Sequence, residues 1–144
     1  MKHAHQIELI AVDLTTSLLL PYVDGGISAG FPSPALDFMD LKIDLNKYLI
    51  KHPSATFYGR VKGSSMKNAG IDDGDLLIID KSLYPKNNDI AVCVIDGEFT
   101  AKRIRLTKNE LWLIPENEAY TAIQVTEDND FVIWGIVTHV IKCL

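Results

Sequence analysis

The residue with the clearest chemical potential is a lysine in the second strand of a predicted hairpin. Asp96-Gly97 lies between two apolar runs and supplies the positive φ angles of a two-residue type I′ turn. Alternation divides the side chains of the second strand between two faces: Thr100, Lys102, Ile104 and Leu106 on one, and Phe99, Ala101, Arg103 and Arg105 on the other. Because the two arginines suit a solvent-facing side, we expect Lys102 on the apolar side, where burial favours a neutral amine that can act as a general base.

A lysine base needs a hydroxyl to activate, and the candidate is Ser65 in the segment Gly63-Ser-Ser-Met66. This segment directly follows the strand-like run 56–62, and its glycine lets the chain turn and expose the hydroxyl. A neutral lysine removes the proton of such a serine in the serine-lysine variants of the catalytic triad, without histidine or aspartate. The alternatives are that Ser65 is only a turn residue and that Lys102 extends its amine to water at the sheet edge.

Other chemistry-bearing residues fit structural roles better. His139 lies within an apolar strand-like run, and Cys93 and Cys143 show neither a Cys-x-x-Cys spacing nor a nearby histidine set. The acidic segment Asp72-Asp73-Gly-Asp75 lacks the spacing and the closing glutamate of a calcium loop, so we interpret it as a tight turn before a strand. We therefore expect no metal and no cofactor.

Composition narrows the class of protein. The 144 residues fit one core, and 47% hydrophobic with 23% charged residues is ordinary for a folded globular chain. A net charge of −5 with scattered basic residues argues against direct, sequence-specific nucleic-acid binding. The apolar runs are too short to span a membrane, and Glu8 and Asp13 interrupt any signal peptide. We expect a cytoplasmic protein.

Short runs rich in Val, Ile, Phe and Tyr, broken by Gly, Asn and Asp, indicate a mostly β fold after residue 55. Strands are expected near 55–62, 75–80, 92–104 (the hairpin), 110–115, 122–126 and 131–141. Ser33-Pro34 predicts a short helix at about 33–41. Residues 1–29 end in the small-residue run 24–29 and are expected to form a mobile N-terminal arm on a single compact domain of bent antiparallel strands, residues 30–144.

Several motifs in order resemble those of one family. They are Gly30-Phe-Pro-Ser-Pro34, Ile43-Asp-Leu-Asn46, His52-Pro-Ser-Ala-Thr56, Gly63-Ser-Ser-Met66, Gly70-Ile-Asp-Asp-Gly-Asp75, Asp96-Gly-Glu-Phe-Thr100 with Lys102, and Leu113-Ile-Pro115 through Tyr120. From residue 30 onward the chain resembles the UmuD family and, more distantly, the C-terminal domains of LexA and phage repressors. The family commonly has Asp where this chain has Ser64.

The resemblance implies a fold like that of the LexA C-terminal domain and signal peptidase. It implies that Ser65 is the nucleophile, Lys102 the general base, and Ala29-Gly30 the bond that the chain cleaves in itself, removing residues 1–29. It further implies an SOS-response protein whose cleavage is stimulated by the RecA-DNA filament. The shortened homodimer then serves as an accessory subunit of a UmuC-like Y-family translesion polymerase.

Two other function classes stay open at this point. The first is a non-enzymatic interaction module in which Ser65 and Lys102 are structural. The second is a stand-alone dimerisation domain of the repressor type. The 29 residues before the Ala29-Gly30 bond are too few for a helix-turn-helix unit, which weakens the second alternative.

Overall fold

The computed structural model describes residues 6–22 and 41–144, and β-strands dominate both ranges. The strands are β1 (Ile7–Ala11), β2 (Leu19–Tyr22), β3 (Leu41–Asp44), β4 (Thr56–Val61), β5 (Leu76–Asp80), β6 (Ile90–Ile95), β7 (Glu98–Leu106), β8 (Leu111–Ile114), β9 (Ile123–Val125) and β10 (Phe131–Ile141). One α-helix, α1 (Leu45–Leu49), and 3-10 turns at Pro53–Ala55 and Lys67–Ala69 complete the described elements. No helix in these ranges is long and apolar enough to cross a membrane.

The predicted hairpin and the strands around it are confirmed. Asp96 and Gly97 have φ angles of 49° and 84°, as a type I′ turn requires, and join β6 to β7. Alternation along β7 was wrong at Ala101, which was placed on the solvent side but is buried beside Val92 of β6. The reason is that β7 has packed side chains on both of its faces, so period two does not mark exposure there.

Residues Met1–Val12 and Ser54–Leu144 form one compact unit, whose described part contains an eight-stranded antiparallel sheet. The strand order is β1-β4-β5-β10-β6-β7-β8-β9. In a flat sheet β4 and β7 would lie roughly 19 Å apart, since three strands separate them at about 4.8 Å per step. The sheet instead curls until Gln6, just before β1, donates its backbone N–H to Phe99 O of β7 at 3.0 Å. This curl brings β1, and the turn that follows β4, next to β7.

Two groups of buried apolar residues stabilise the curled sheet. The first consists of Ile7, Val61, Met66, Ile71, Leu77, Ile79, Val92 and Ala101. The second consists of Ala91, Cys93, Ile95, Ile104, Leu113 and Ile136. Val92 belongs to the first group and its neighbours Ala91 and Cys93 to the second, as expected for a strand covered on both faces.

Residues Asp13–Pro53 form a second compact unit, of which 13–22 and 41–53 are described. Strands β2 and β3 pair antiparallel, and Asp44 caps α1 by accepting a hydrogen bond from Asn46 N at 3.2 Å. Ser17 donates to the same carboxylate at 3.1 Å. The predicted helix at 33–41 lies outside the described residues except for Leu41, which begins β3. The division of the chain into an arm, 1–29, and a body, 30–144, stays a prediction.

The predicted arm is not uniformly irregular. Its residues Ile7–Ala11 form β1, which pairs antiparallel with β4 from Ile7 opposite Val61 to Ala11 opposite Phe57. Ile7 is buried in the first apolar group. Gln6-Ile7-Glu8-Leu9 alternates polar and apolar residues, but Ile10 and Ala11 break the alternation, and the sequence analysis did not assign a strand here.

Strand β10 pairs with both β5 and β6, and its register shifts between Ile133 and Gly135. The bulged Trp134 packs edge-on against Phe57 and Phe99, with ring centroids 5.0 and 6.0 Å apart. A Cβ at position 135 would lie 2.6 Å from Ile79 Cγ2, so only glycine fits this close approach without a shift.

Gly135→Ala is expected to destabilise the protein by about 1–3 kcal/mol, because overpacking next to a buried isoleucine displaces well-packed atoms. The measurement is equilibrium urea unfolding. Val132→Ala, at a half-exposed position of the same strand, is the matched control and should cost clearly less. Equal losses for the two variants would contradict the packing described for Gly135.

Candidate active site

Ser65 lies in a turn that follows β4 and is fixed from three directions. Gly63 has a φ of 91°, which explains the glycine, and its N–H donates to Asp73 Oδ1 at 2.7 Å. The buried amide of Asn117 donates to the carbonyl oxygen of Ser64 at 2.8 Å. Met66, the next residue after Ser65, is 2% exposed within the first apolar group. The hydroxyl is therefore held by a packed turn and not by a loose loop.

Lys102 lies in the middle of β7 and is only 4% exposed. The alternative in which its amine extends to water is therefore wrong. Four oxygen atoms surround Nζ: Ser65 Oγ and Ala101 O at 3.1 Å, Gln6 Oε1 at 3.0 Å and Thr100 Oγ1 at 2.6 Å. The sequence prediction that Lys102 is on an apolar, buried side is confirmed, and the amine is within hydrogen-bond distance of the predicted partner serine.

Burial lowers the pKa of Lys102 to about 8. The carboxylate of Glu98 on the same strand and the thiol of Cys93 on β6 act in the opposite direction and raise the pKa. At this value a substantial fraction of the amine is neutral near physiological pH, whereas an ordinary lysine with a pKa of 10.5 is almost wholly charged. The site thus combines a candidate base with a hydroxyl 3.1 Å away.

Gln6 completes the group of polar side chains around the amine. Its Oε1 accepts hydrogen bonds from Lys102 Nζ and Thr100 Oγ1 and lies 3.5 Å from Ser65 Oγ. An ammonium carries donors only, so the amide oxygen and not the amide nitrogen faces Lys102. The amide of Gln6 therefore lies directly beside both candidate residues.

The structure brings Ser65 and Lys102 together, while Ala29 and Gly30 lie outside the described residues. Sequence reasoning did not single out Gln6, Thr100 or Asn117 for the site. The alternation of side chains along β7 places Thr100 on the same face as Lys102, and this could have identified Thr100 as a neighbour of the amine. Nothing local connects Gln6 or Asn117 with positions that are 96 and 53 residues away in the chain.

The remaining candidates have structural roles in the described residues. Burial raises the pKa of the Cys93 thiol to about 12, so this cysteine stays protonated and is a poor nucleophile. His139 is a strand residue of β10, opposite Ile78. Asp72 and Asp75 form the predicted turn before β5, and Lys142 binds both carboxylates, at 2.6 and 2.5 Å. Within residues 6–22 and 41–144 no cluster of three His, Cys, Asp or Glu side chains could hold a metal.

The sequence is similar to a family of peptidases and to several known proteins. Residues 21–138 match the family described as Peptidase S24-like. The chain is 43% identical over 121 residues to protein MucA of Escherichia coli, covering 83% of this chain and 82% of MucA. It is 46% identical over 110 residues to protein SamA of Salmonella typhimurium, covering 76% of each.

A more distant relative carries an additional region. The LexA repressor of Ectopseudomonas mendocina is 38% identical over 124 residues, which are 85% of this chain and 60% of the repressor. The match to the family covers well over half of the chain, and the relatives of similar length include MucA, SamA and ImpA. The chain belongs to the Peptidase S24-like family, and within it to the self-cleaving serine peptidases of the UmuD type that act in SOS mutagenesis.

Proposed function

We propose that this chain cleaves its own Ala29-Gly30 bond with Ser65 as nucleophile and Lys102 as general base, releasing residues 1–29. The observation that carries the proposal is the 3.1 Å contact between Lys102 Nζ and Ser65 Oγ in a site where burial lowers the pKa of the lysine to about 8. Geometry and acidity are thus both suited to proton transfer between the two groups. A merely structural lysine on a strand gains nothing from such burial, because desolvation of its charge destabilises the fold.

The chemistry needs only groups of this chain and one water molecule. The neutral amine of Lys102 takes the Ser65 proton while Oγ forms a bond to the Ala29 carbonyl carbon. Backbone N–H groups of the turn around Ser65 stabilise the negative oxygen of the tetrahedral intermediate. The bond to the Gly30 nitrogen then breaks, and Lys102 gives its proton to that nitrogen as the new N-terminus leaves.

The second half of the reaction regenerates the enzyme. Lys102, neutral again, takes a proton from a water molecule, and the resulting hydroxide attacks the ester between Ser65 and Ala29. The ester bond breaks, the Ser65 oxygen regains the proton from Lys102, and Ala29 becomes the C-terminal carboxylic acid of the released segment, which loses its proton to solvent as the carboxylate forms. The products are residues 1–29 and a body that begins at Gly30.

Thr100 has a supporting part in this scheme. Its hydroxyl lies 2.6 Å from Lys102 Nζ and is buried on the same strand. The Thr100 hydroxyl oxygen accepts a hydrogen bond from an N–H of Lys102, which leaves the lone pair of the neutral amine free to face Ser65. The hydrogen bonds around Nζ thereby restrict the amine to one position against the nucleophile.

The biological setting follows the UmuD type. In our proposal the RecA-DNA filament stimulates cleavage, and the shortened chain acts in the cytoplasm as a homodimer and accessory subunit of a UmuC-like Y-family translesion polymerase. Sequence identity of 42–46% to MucA, SamA and ImpA over at least three quarters of this chain supports the same role here. Because the peptide bond is part of the chain, its effective concentration at the site is high, and the frequency with which it docks sets the rate.

Ser65→Ala and Lys102→Ala are each expected to abolish formation of the fragment 30–144, because one removes the nucleophile and the other the base. The measurement is intact-mass analysis of purified full-length protein incubated at pH 9. Matched controls are Ser64→Ala, the adjacent serine, and Lys108→Ala, an exposed lysine, both of which should still cleave. Persistence of the fragment in either test variant rules out the assigned role of that residue.

The rate of self-cleavage is expected to rise with pH and to level off above the pKa of Lys102. With a pKa of about 8, the neutral fraction of the amine grows about tenfold from pH 7 to pH 9. First-order rates of fragment formation, measured from pH 6 to pH 10, should follow this fraction. A flat profile between pH 7 and pH 9 is incompatible with Lys102 as the base.

A further inference from the structure

Strand β1 fills the space between β4 and β7 where the curl of the sheet brings them together. On one side it pairs with β4 along five registered positions, and Lys62 N–H donates to Gln6 O at 2.7 Å. On the other side Gln6 N–H donates to Phe99 O of β7 at 3.0 Å. This extended segment thus forms main-chain hydrogen bonds with β4 along its length and, through Gln6, with β7 beside Ser65, in the way that extended peptides bind to sheet edges.

The side chain of Gln6 carries an amide like that of a peptide bond and lies against both members of the proposed dyad. Its amide carbonyl oxygen accepts from Lys102 Nζ at 3.0 Å and lies 3.5 Å from Ser65 Oγ. The carbonyl carbon that a serine attacks must come within about 3–3.5 Å of the attacking oxygen, which is the distance at which the Gln6 oxygen already lies. The Gln6 amide and the carbonyl of a scissile bond cannot occupy this space at the same time.

We propose that β1 and Gln6 act as a built-in pseudosubstrate that competes with the scissile segment for the cleft. Residues 6–11 occupy the peptide-binding position, and the segment around Ala29-Gly30 reaches Ser65 only when they leave. This inference rests on the proposed function, since it concerns the regulation of the same site. It assigns an inhibitory role to a segment that the reaction itself removes.

Gln6 also acts on the base. As an acceptor at 3.0 Å it stabilises the charged form of Lys102, which is the form that cannot take a proton from Ser65. The titratable groups that face Lys102 are Glu98 of β7, which also favours the charged amine, and Cys93 of β6, which is protonated. Departure of Gln6 therefore opens the space beside Ser65 and makes the amine easier to deprotonate.

The attachment of β1 is strong enough to occupy the cleft and weak enough to be released. Ile7 is buried in the core, but Glu8 forms only an exposed ion pair with Lys62 at 3.7 Å, which contributes little. Ile10 and Ala11 are exposed. Leu9 packs against the same core but is only half-buried. A short edge strand with one fully buried residue opens locally at a lower free energy than a central strand.

Two substitutions of Gln6 in the full-length chain test the proposal, because they are expected to act in opposite directions. Gln6→Ala removes the amide from the cleft and should speed formation of the fragment 30–144 about tenfold at pH 7.5, with a lower pH midpoint. Gln6→Glu places a carboxylate beside Lys102 and should slow cleavage and raise the midpoint. Glu127→Gln, an exposed change of the same kind away from β1 and the site, is the matched control and should cleave like the unmodified chain.

The readout is intact mass over time from pH 6.5 to pH 9.5. If Gln6→Ala cleaves at the rate of the unmodified chain or more slowly, the pseudosubstrate role is overturned. If Gln6→Ala and Gln6→Glu both cleave more slowly than the unmodified chain, Gln6 instead positions Lys102 for catalysis. If the unmodified chain yields no fragment at any pH, the proposed function itself has failed. If the unmodified chain does yield the fragment but Gln6→Ala does not yield it faster, only the pseudosubstrate inference is rejected, and the proposed function stands.

Discussion

The burial of one lysine amine against one serine hydroxyl is the constraint on which the site depends. Lys102 is 4% exposed, and the desolvation of its charge is unfavourable unless hydrogen bonds compensate it. Four oxygen atoms provide this compensation, and they come from β7, the turn after β4 and the residue before β1. These elements meet only because the sheet curls. The fold can therefore be understood as the arrangement that makes a buried amine tolerable and places it beside Ser65.

The acidity of Lys102 is a balance between two opposing effects. Burial favours the neutral amine, while Glu98 and Cys93 favour the charged one, and the resulting pKa is about 8. A lysine with a much higher pKa would rarely be neutral in a cell, and one with a much lower pKa would be a weak base. Because Gln6 accepts a hydrogen bond from the amine and directly precedes the edge strand β1, the same contact can stabilise the folded chain and, in our proposal, restrain its reaction.

How far the sequence predicted the structure depended on the range of the interactions. Asp96-Gly97 predicted the hairpin because a type I′ turn is specified by two adjacent residues, and period two correctly put Lys102 on a buried face. Ala101 was assigned to the solvent side because alternation cannot indicate a second packed layer. Gln6 and Asn117 contact the site across 96 and 53 residues in the sequence. The curl and the pairing of β1 with β4 bring Gln6 there, and Asn117 follows β8, which pairs with β7. The identification of Ser65 as Lys102's partner depended mainly on the family motifs.

The most direct test of the central claim is the titration of the Lys102 amine itself. In full-length Ser65→Ala protein with 13C-labelled lysine, the Cε resonance of Lys102, assigned by its loss in a Lys102→Met variant, reports the charge on Nζ as pH changes. The account predicts a midpoint near 8 that is well separated from those of the exposed lysines. A midpoint near 10.5, together with those of the exposed lysines, would show that the amine is charged at neutral pH and would contradict its role as the base.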